Sequence, residues 1–541
     1  MSLQFITGNS GNGKTKYLFN RIVKEAKANP RDNYLVIVPE QFTMQTQRQL
    51  VDLSENKAIM NIDVLSFKRL AYRVFDELGI TNLTVLEETG KNLVLRKLAA
   101  QEADKLGVIG RNLNRIGYIS EVKSLLSELV QYNISPEELG RYIASGRLSD
   151  TLSDKLKDVL VLYEAFEKFM QDKYITAEEI LNVLSNVAEE SAILRNSVIA
   201  FDEFTGFTPI QNQLIKKLFV ISKKIYVTLT IDCREDIFKS RGMQELFDMP
   251  KRTVKSLTEM AAFYGIEVEE PIILDKNYRL AENEELSFME QQLFRKRRCS
   301  FKKVPKHIHI DCLRDPKQEL TKIARRINEL VRNENLRYRD IAIVTGDVNI
   351  YAGYVREIFD KYNIPYFIDA TQEILFHPFI EFIRSIPDIA AQNFSADAVF
   401  RFLRCGFSEL LDSEIDVLEN YVLACGVRGK SAWDKKWVRL PKHKAGYDIE
   451  LLNQSREYIM ELLKPVYQVF SDKKSTVKDY VLAIYKLIVL LDIPDKLAKK
   501  EQALLDAGDQ TASKEYGQIY KIVMQLFEKY VAVLGDECMD A

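Results

Sequence analysis

Short apolar runs alternate with amphipathic stretches at the start of the chain. Residues 3–6 (Leu-Gln-Phe-Ile), 34–39 (Tyr-Leu-Val-Ile-Val-Pro) and 61–67 read as buried strands, the second stopped by Pro39. Residues 16–28, and a stretch starting at Lys68, read as the helices between them. This alternation predicts a parallel sheet with crossover helices. From 87 to 190 the period changes. Charged segments such as 120–132 and 153–169 carry apolar residues three and four apart, which predicts an all-helical insertion. Strands return at 197–203, ending in Asp202 and Glu203, and at 224–231, ending at Asp232. After a basic, irregular stretch at 294–307, strands are expected at 307–311, 340–344 and 364–368, with helices at 319–333 and 352–362. Beyond Pro378 the pattern is helical to the end, broken by a loop at 426–448. The expected organisation is α/β: residues 1–86 with 191–274 as a first unit, 87–190 as its helical insertion, 275–376 as a second α/β unit, and 377–541 as a second helical insertion.

Bulk composition changes this picture little. A chain of 541 residues predicts about three or four domains. Hydrophobic content of 46% and charged content of 28% fit a soluble globular protein. The net charge of −2 gives no global field for nucleic acid, so such contacts must be local. The six cysteines form no C-x-x-C pair, which argues against a zinc site or disulfide framework and for a reducing, cytoplasmic setting. No apolar run approaches the length of a membrane span, and the N-terminus does not read as a signal peptide.

The sharpest chemistry is Gly8-Asn9-Ser10-Gly11-Asn12-Gly13-Lys14-Thr15, which fits the phosphate-binding pattern G-x-x-x-x-G-K-[ST]. It stands between an expected strand and an expected helix. Glycines let backbone N–H groups turn toward phosphates, and the helix N-terminus adds its positive dipole end. In this reading the eight residues cradle ATP, Lys14 reaches the β/γ-phosphates, and Thr15 ligates Mg²⁺. Asp202 is the natural second Mg²⁺ ligand, and Glu203 lies near the attacking water as the catalytic residue. The rival is a chance glycine loop.

The run from Asp202 through Phe204 to Gln211 resembles motif II of superfamily 1 helicases of the UvrD type, D-E-F-Q-D-x-x-x-x-Q, with Thr205 where those proteins keep glutamine. Val64-Leu65-Ser66-Phe67 occupies the place of their DNA-facing T-x-H-S-F loop. Asn277-Tyr278-Arg279 resembles motif IV. The likeness implies that Gln211 and Arg279 serve the nucleotide, the arginine approaching the γ-phosphate from the second α/β unit. Motif III is reduced to Asp232, and the adenine-reading glutamine is missing.

More specific are Ile37-Val38-Pro39-Glu40-Gln41-Phe42-Thr43, the run from Leu65 to Val74, and Ile364 to Asp369 followed by His377-Pro378 and Glu381-Phe382-Ile383-Arg384. With the near-terminal P-loop, these resemble the B subunit of the AddAB (RexAB) helicase–nuclease over at least residues 1–385. The likeness implies two RecA-like domains, each with a helical insertion. It also implies an AddA-type partner subunit and the scanning of single-stranded DNA for a regulatory (Chi) sequence during processing of double-strand breaks. In that family a nuclease domain with an iron–sulfur cluster forms the C-terminal part. Helicase motifs V and VI, the nuclease acids and the cluster cysteines are expected beyond this sequence, which looks like the N-terminal half of a longer protein. ATP hydrolysis by the chain alone is expected to be slow.

Residues suited to DNA lie after the strands. Gln41 and Thr43 can bond base edges, Phe67 and Tyr72 can stack, and Arg69 can read a guanine or hold a phosphate. Core packing is the rival for both rings, and a solvated helix face is the rival for Arg69. Arg295-Lys296-Arg297-Arg298 with Lys302-Lys303 suits phosphate contacts or a solvated linker. Trp433 and Trp437, among Lys435, Lys436, Arg439, Lys442 and Lys444, suit a partner- or duplex-facing loop or a local core. His307 and His309 have no acid or cysteine beside them and are not expected to bind metal. Two further functions stay open: a working helicase motor, and a DNA-binding scaffold that does not depend on nucleotide.

Overall fold

The computed structural model describes residues 1–81, 85–108, 110, 117–146, 148–171, 174–295, 299–371, 373–441 and 447–538. The chain divides into two compact units, Met1–His309 and Ile310–Ala541.

The first unit is built on a seven-stranded sheet. Its strands are β1 (Ser2–Gly8), β2 (Tyr34–Ile37), β3 (Ile62–Leu65), β6 (Val198–Phe201), β7 (Lys224–Thr230), β8 (Glu267–Val268) and β9 (Ile272–Leu274). The order is β3-β2-β6-β7-β1-β8, with β9 also on β1, and every pairing is parallel. The strands are apolar at nearly every position because both faces are covered. Leu3, Phe5, Leu35, Ile37, Ile199, Phe201, Ile225 and Val227 face one layer of helices. Ile6, Tyr34, Val36, Val198, Ala200 and Tyr226 alternate with them toward Leu18, Phe19 and Ile22 of α1 (Lys14–Ala28) and Leu50 of α2 (Thr43–Leu53). The period of two places neighbours on opposite faces. Parallel register sets Gly8 opposite Thr230 and Ile37 opposite Phe201, so the P-loop and the acids after β6 share one end of the sheet.

Helix α3 (Phe67–Leu78) follows β3 and is capped by the Ser66 hydroxyl, which accepts the Arg69 N–H at 3.3 Å. The next stretch holds α4 (Glu88–Gln101), α5 (Tyr118–Gln131), α6 (Pro136–Ala144) and α7 (Asp150–Met170). It is not purely helical. The two-residue strands β4 (Val85–Leu86) and β5 (Ile175–Thr176) pair in parallel, too short to leave a period in the sequence. Ile180, Leu181 and Leu184 of α8 (Ile180–Val187) join the core beneath the main sheet. Helices α9 (Pro209–Ile221), α10 (Asp248–Phe263) and α11 (Glu284–Gln292) complete this unit.

The second unit departs from expectation. Helices α12 (Pro316–Asn333) and α13 (Val348–Lys361) form and pack through Leu320, Ala324, Ile327, Ile358 and Phe359. The strands expected at 307–311, 340–344 and 364–368 do not form, so a second RecA-like sheet is absent among the described residues. A strand is stable only when its N–H and C=O groups meet a neighbour's. These segments carry strand-like side chains without a paired partner, and Ile310, Val344 and Phe367 are left 94%, 92% and 88% exposed. From Pro378 onward eight helices among the described residues enclose one core, reaching from Phe379 to Val523. Trp433 and Trp437 belong to it, with ring centroids 5.3 Å apart. Buried Arg456 donates to the Trp433 carbonyl at 2.9 Å, and buried Asn453 both accepts from the Trp437 N–H and donates to its carbonyl, each at 2.9 Å. The tryptophans are therefore a local core, not a displayed surface. Lys442 and Lys444 lie outside the described residues.

Trp433 is fully buried and among the largest such side chains. Trp433→Ala is expected to cost about 3–5 kcal/mol of the second unit's stability, read as a lower urea midpoint by far-UV circular dichroism. A loss below about 1 kcal/mol would contradict its place in the core.

Candidate nucleotide site

Helix α1 begins without a cap. Its first turn follows Gly13, held at φ +78°, and no side chain accepts from its leading N–H groups. Side chains cap α3, α6, α9, α11, α12 and α13, whereas α2, α4, α5, α7, α8 and α10 share with α1 the lack of a side-chain cap. Left-handed backbone is routine only for glycine, which explains the residue at this position. The uncapped amides and the positive end of the helix dipole face a cavity of about 710 Å³. Ser10, Gly11, Gly13, Lys14 and Thr15 line it from the loop, and Asp202, Glu203 and Arg279 from elsewhere. Every lining residue belongs to Met1–His309.

The charges in this cavity are only partly satisfied. The Lys14 ammonium donates to the carbonyls of Gly8 (3.1 Å) and Asn9 (3.0 Å). Burial lowers its pKa, offset in part by the nearby carboxylates of Glu203 and Asp202. Asp202, 1% exposed, ends the β6 run. Its Oδ1 accepts the Thr228 hydroxyl, while Oδ2 is buried without a hydrogen-bond partner among the described residues. Burial raises the Asp202 pKa against the lowering effect of the Thr228 hydroxyl. The Thr15 hydroxyl oxygen lies 3.3 Å from Asp202 Oδ1 and 3.3 Å from Glu203 Oε1. One hydroxyl proton cannot serve both acceptors, and an orphaned carboxylate oxygen remains beside them. That donor set (hydroxyl and carboxylate oxygens with no soft ligand) fits a hard divalent cation such as Mg²⁺. Glu203 sits at φ +64°, a strained conformation for a residue of its kind that costs of order 1–3 kcal/mol.

Within the glycine-rich loop the work divides. Asn9 turns out of the cavity, donating to Glu290 Oε1 (3.0 Å) and accepting the Cys233 N–H (2.9 Å). Asn12 donates to the Leu274 carbonyl. Gly8, Asn9 and Asn12 support the loop without lining the cavity. Gln211, expected at the nucleotide, is not among the lining residues either. It closes a capping box on α9, accepting the Thr208 N–H at 2.9 Å while its own N–H reaches the Thr208 hydroxyl at 3.4 Å. Asp232, the remnant of motif III, is 1% exposed and tied to Arg234 (2.6 Å) and Arg295 (2.9 Å). Burial alone would raise its pKa, but the bonds from Arg234 and Arg295 outweigh it and hold the carboxyl well below the usual range. Arg295 also lies over the Phe247 ring at 4.7 Å, which makes it structural. Lys296, Arg297 and Arg298 lie outside the described residues.

Two contributors were not foreseen: Thr228, which orients Asp202, and Tyr278, which lines the cavity beside Gly13. Thr228 had a signal, since a hydroxyl at an inward position of the apolar strand β7 must find a partner.

The five residues read as DNA contacts separate by helix face. On α3 the buried positions are Phe67, Leu70, Ala71, Val74 and Phe75. Phe67 therefore turns inward, with its ring 5.8 Å from Phe201 and 5.6 Å from Phe204, and core packing takes the place of stacking on a base. Thr43 shares the buried face of α2 with Thr46 and Leu50, and its hydroxyl donates to the Glu40 carbonyl at 3.0 Å. Gln41, Arg69 and Tyr72 face outward. Arg69 is paired with Glu40 at 3.0 Å, and Tyr72 meets Phe75 edge-on at 6.3 Å. Among the described residues no group of three or more histidine, cysteine or acidic side chains suits a metal, and no helix is long and apolar enough to cross a membrane.

Known proteins resemble this chain along its length. The sequence pattern of the family described as "ADDB, N-terminal" matches residues 5–290. The B subunit of the ATP-dependent helicase/deoxyribonuclease of Lachnoclostridium phytofermentans is 38% identical over 549 aligned positions, covering 100% of this chain and 48% of the relative. Proteins of the same name from Caldanaerobacter subterraneus (33%) and Clostridium acetobutylicum (31%) each align with 99% of this chain and 47% of their own length. The chain thus spans about half the length of these curated relatives. On the matched pattern and this likeness along its whole length, the chain belongs to the AddB N-terminal family.

Proposed function

We propose that the chain is the ATP- and DNA-binding half of a helicase/deoxyribonuclease B subunit that acts with an A-type partner on DNA double-strand breaks. The observation that carries the nucleotide reading is the unpartnered Oδ2 of buried Asp202, set beside Thr15 and Lys14 at an uncapped helix start. ATP would place its β- and γ-phosphates on the loop amides and Lys14. Thr15 and Asp202 would hold Mg²⁺, which supplies charge neutralisation at the phosphates. Glu203 would orient a water. Turnover would be slow, because Gln211 caps a helix and does not serve the nucleotide, and coupling to movement would be weak, because Asp232 binds two arginines. Single-stranded DNA would cross the outward side chains Gln41, Arg69 and Tyr72, whose neighbours Thr43 and Phe67 set the loops from within. Scanning for a Chi-like sequence fits a subunit that binds more than it moves. A helicase motor is the second reading, favoured by the retained and strained Glu203. DNA-stimulated ATPase that is lost on Glu203→Gln would support it.

Titration of the chain with Mg-ATP tests the site. Lys14→Ala is expected to weaken binding about tenfold or more, the cost of one charge-assisted contact. Equal affinity in wild type and variant would favour the nucleotide-independent scaffold.

The raised pKa of Asp202 gives a pH signature. Without cation the buried carboxyl keeps its proton to a higher pH than a free aspartate, and Mg²⁺ must displace it. The Mg²⁺-dependent part of nucleotide affinity should therefore fall as pH drops through that raised pKa and level off above it. Asp202→Asn should remove both the Mg²⁺ effect and its pH dependence. Persistence of either in the variant would place the cation elsewhere.

For DNA, Arg69 must leave Glu40 to meet a phosphate. Arg69→Ala should weaken single-strand binding and reduce the salt slope by about 0.7, the value for one released counterion. Glu40→Gln should strengthen binding. No effect from either change would remove Arg69 from the DNA path.

A further inference from the structure

In the second unit an irregular segment leads away from the short helix Lys430–Asp434 toward the long helix Ile449–Ser471. Residues 435–440 are neither helix nor strand, so their N–H and C=O groups have no ladder to join. Side chains of the core hold this stretch instead. Buried Arg456 donates to the Trp433 carbonyl at 2.9 Å. Buried Asn453 takes both backbone groups of Trp437, each at 2.9 Å. The Tyr421 hydroxyl donates to the Arg439 carbonyl at 2.7 Å. Burying a guanidinium and an amide is costly unless such bonds are made. Here they are made to one irregular segment, which is thereby fixed at three points.

What the segment displays is charge. Trp433 and Trp437 turn inward, while Lys435, Lys436 and Arg439 are exposed. None of these three has an ion-pair partner among the described residues. Other cations of this unit do: Lys430 pairs with Asp434 at 2.7 Å, Arg456 with Glu457 at 2.7 Å and Arg404 with Asp416 at 2.8 Å. Three unpaired cations within five residues make a local positive potential on a chain whose net charge is −2. The two indole rings that could stack on an unpaired base are in the core, so the surface offers phosphate contacts and no stacking platform. That suits an anionic backbone whose bases face away from it.

We infer that Lys435, Lys436 and Arg439 form a site for the backbone of duplex DNA on the second unit, made of different residues from the single-strand path proposed at Gln41, Arg69 and Tyr72. The site holds double-stranded DNA without reading its sequence. Because the backbone of the segment is already fastened, binding avoids much of the ordering cost that a free basic loop incurs. Val438, exposed between the cations, would suit a protein partner instead, and the experiment separates the two.

The whole chain is titrated, without nucleotide, with a short blunt DNA duplex and with a single strand of the same length over a range of salt concentrations. Wild type is compared with a triple variant (Lys435→Gln, Lys436→Gln, Arg439→Gln), with Lys435→Arg, Lys436→Arg, and with Arg69→Ala. The triple variant should weaken duplex binding and lower its salt slope by about 2–3, roughly 0.9 for each lost phosphate contact. Its single-strand slope should change by less than about 0.7, the value for one contact. The double arginine variant keeps the charges and should bind duplex as wild type does. Arg69→Ala should act on the single strand alone, so failure of the single-strand path leaves the duplex result readable. The three side chains are exposed, and the urea midpoint of the triple variant should match wild type; if it falls, single variants should each lower the duplex slope by about 0.9. An unchanged duplex slope overturns the inference, since the cations are then merely solvated. Equal losses for duplex and single strand overturn it too, because the surface then holds any polyanion. Retained duplex binding with lost binding of the A-type subunit makes the patch a protein interface and overturns it as well, as does a wild type that binds no duplex.

Discussion

One carboxylate oxygen, buried at the end of β6 and bonded to nothing, faces a helix start that no side chain caps. Each is unfavourable alone, because a buried polar group without a partner costs about 1–3 kcal/mol. Both fit the proposed ligand: an anion for the amides and a cation for the carboxylate, delivered together as a metal–phosphate pair. The surrounding architecture serves this pairing. Parallel register brings β1 and β6 to end on the same side, the glycine at the start of α1 leaves its amides open, and the Thr228 hydroxyl fixes one Asp202 oxygen while the other stays buried without a partner among the described residues.

The parts of the fold legible in the sequence are those with local causes. Strands β1, β2, β6 and β7 stand out because burial on both faces demands unbroken apolar runs, and α1 follows from its period. The strands β4, β5, β8 and β9 have two or three residues each, shorter than any period, and exist only because a partner strand lies alongside. The opposite error has the same root. Residues 340–344 and 364–368 have strand-like side chains, but pairing is a long-range property that no local pattern contains.

The candidate site divides in the same way. That Lys14, Thr15, Asp202 and Glu203 line one cavity was legible, because a glycine-rich loop before a helix and two acids after a parallel strand end on the same side of a sheet. Gln211 was misplaced because a glutamine three residues after Thr208 satisfies a helix cap as readily as a ligand, and a match to a motif cannot tell the two apart. For Phe67 the rival reading, core packing, is the one the structure shows, and Thr43, read as a contact to base edges, lies inward too: the helical period sets them on the inner faces of α3 and α2. That period was available in the sequence. The approach of Asn277 and Tyr278 to the loop was implied only by the resemblance to motif IV and by no local pattern, because more than 260 residues separate them from Ser10 and Gly11.

The central claim is that Asp202 and Thr15 hold a divalent cation together with a nucleotide on the loop. Electron paramagnetic resonance of Mn²⁺, substituted for Mg²⁺ and added with ATP, tests it most directly. The account predicts a protein-bound Mn²⁺ signal that appears only with nucleotide, carries coupling to phosphorus, and disappears in Asp202→Asn. Mn²⁺ bound without nucleotide, or bound equally well by the variant, would contradict it.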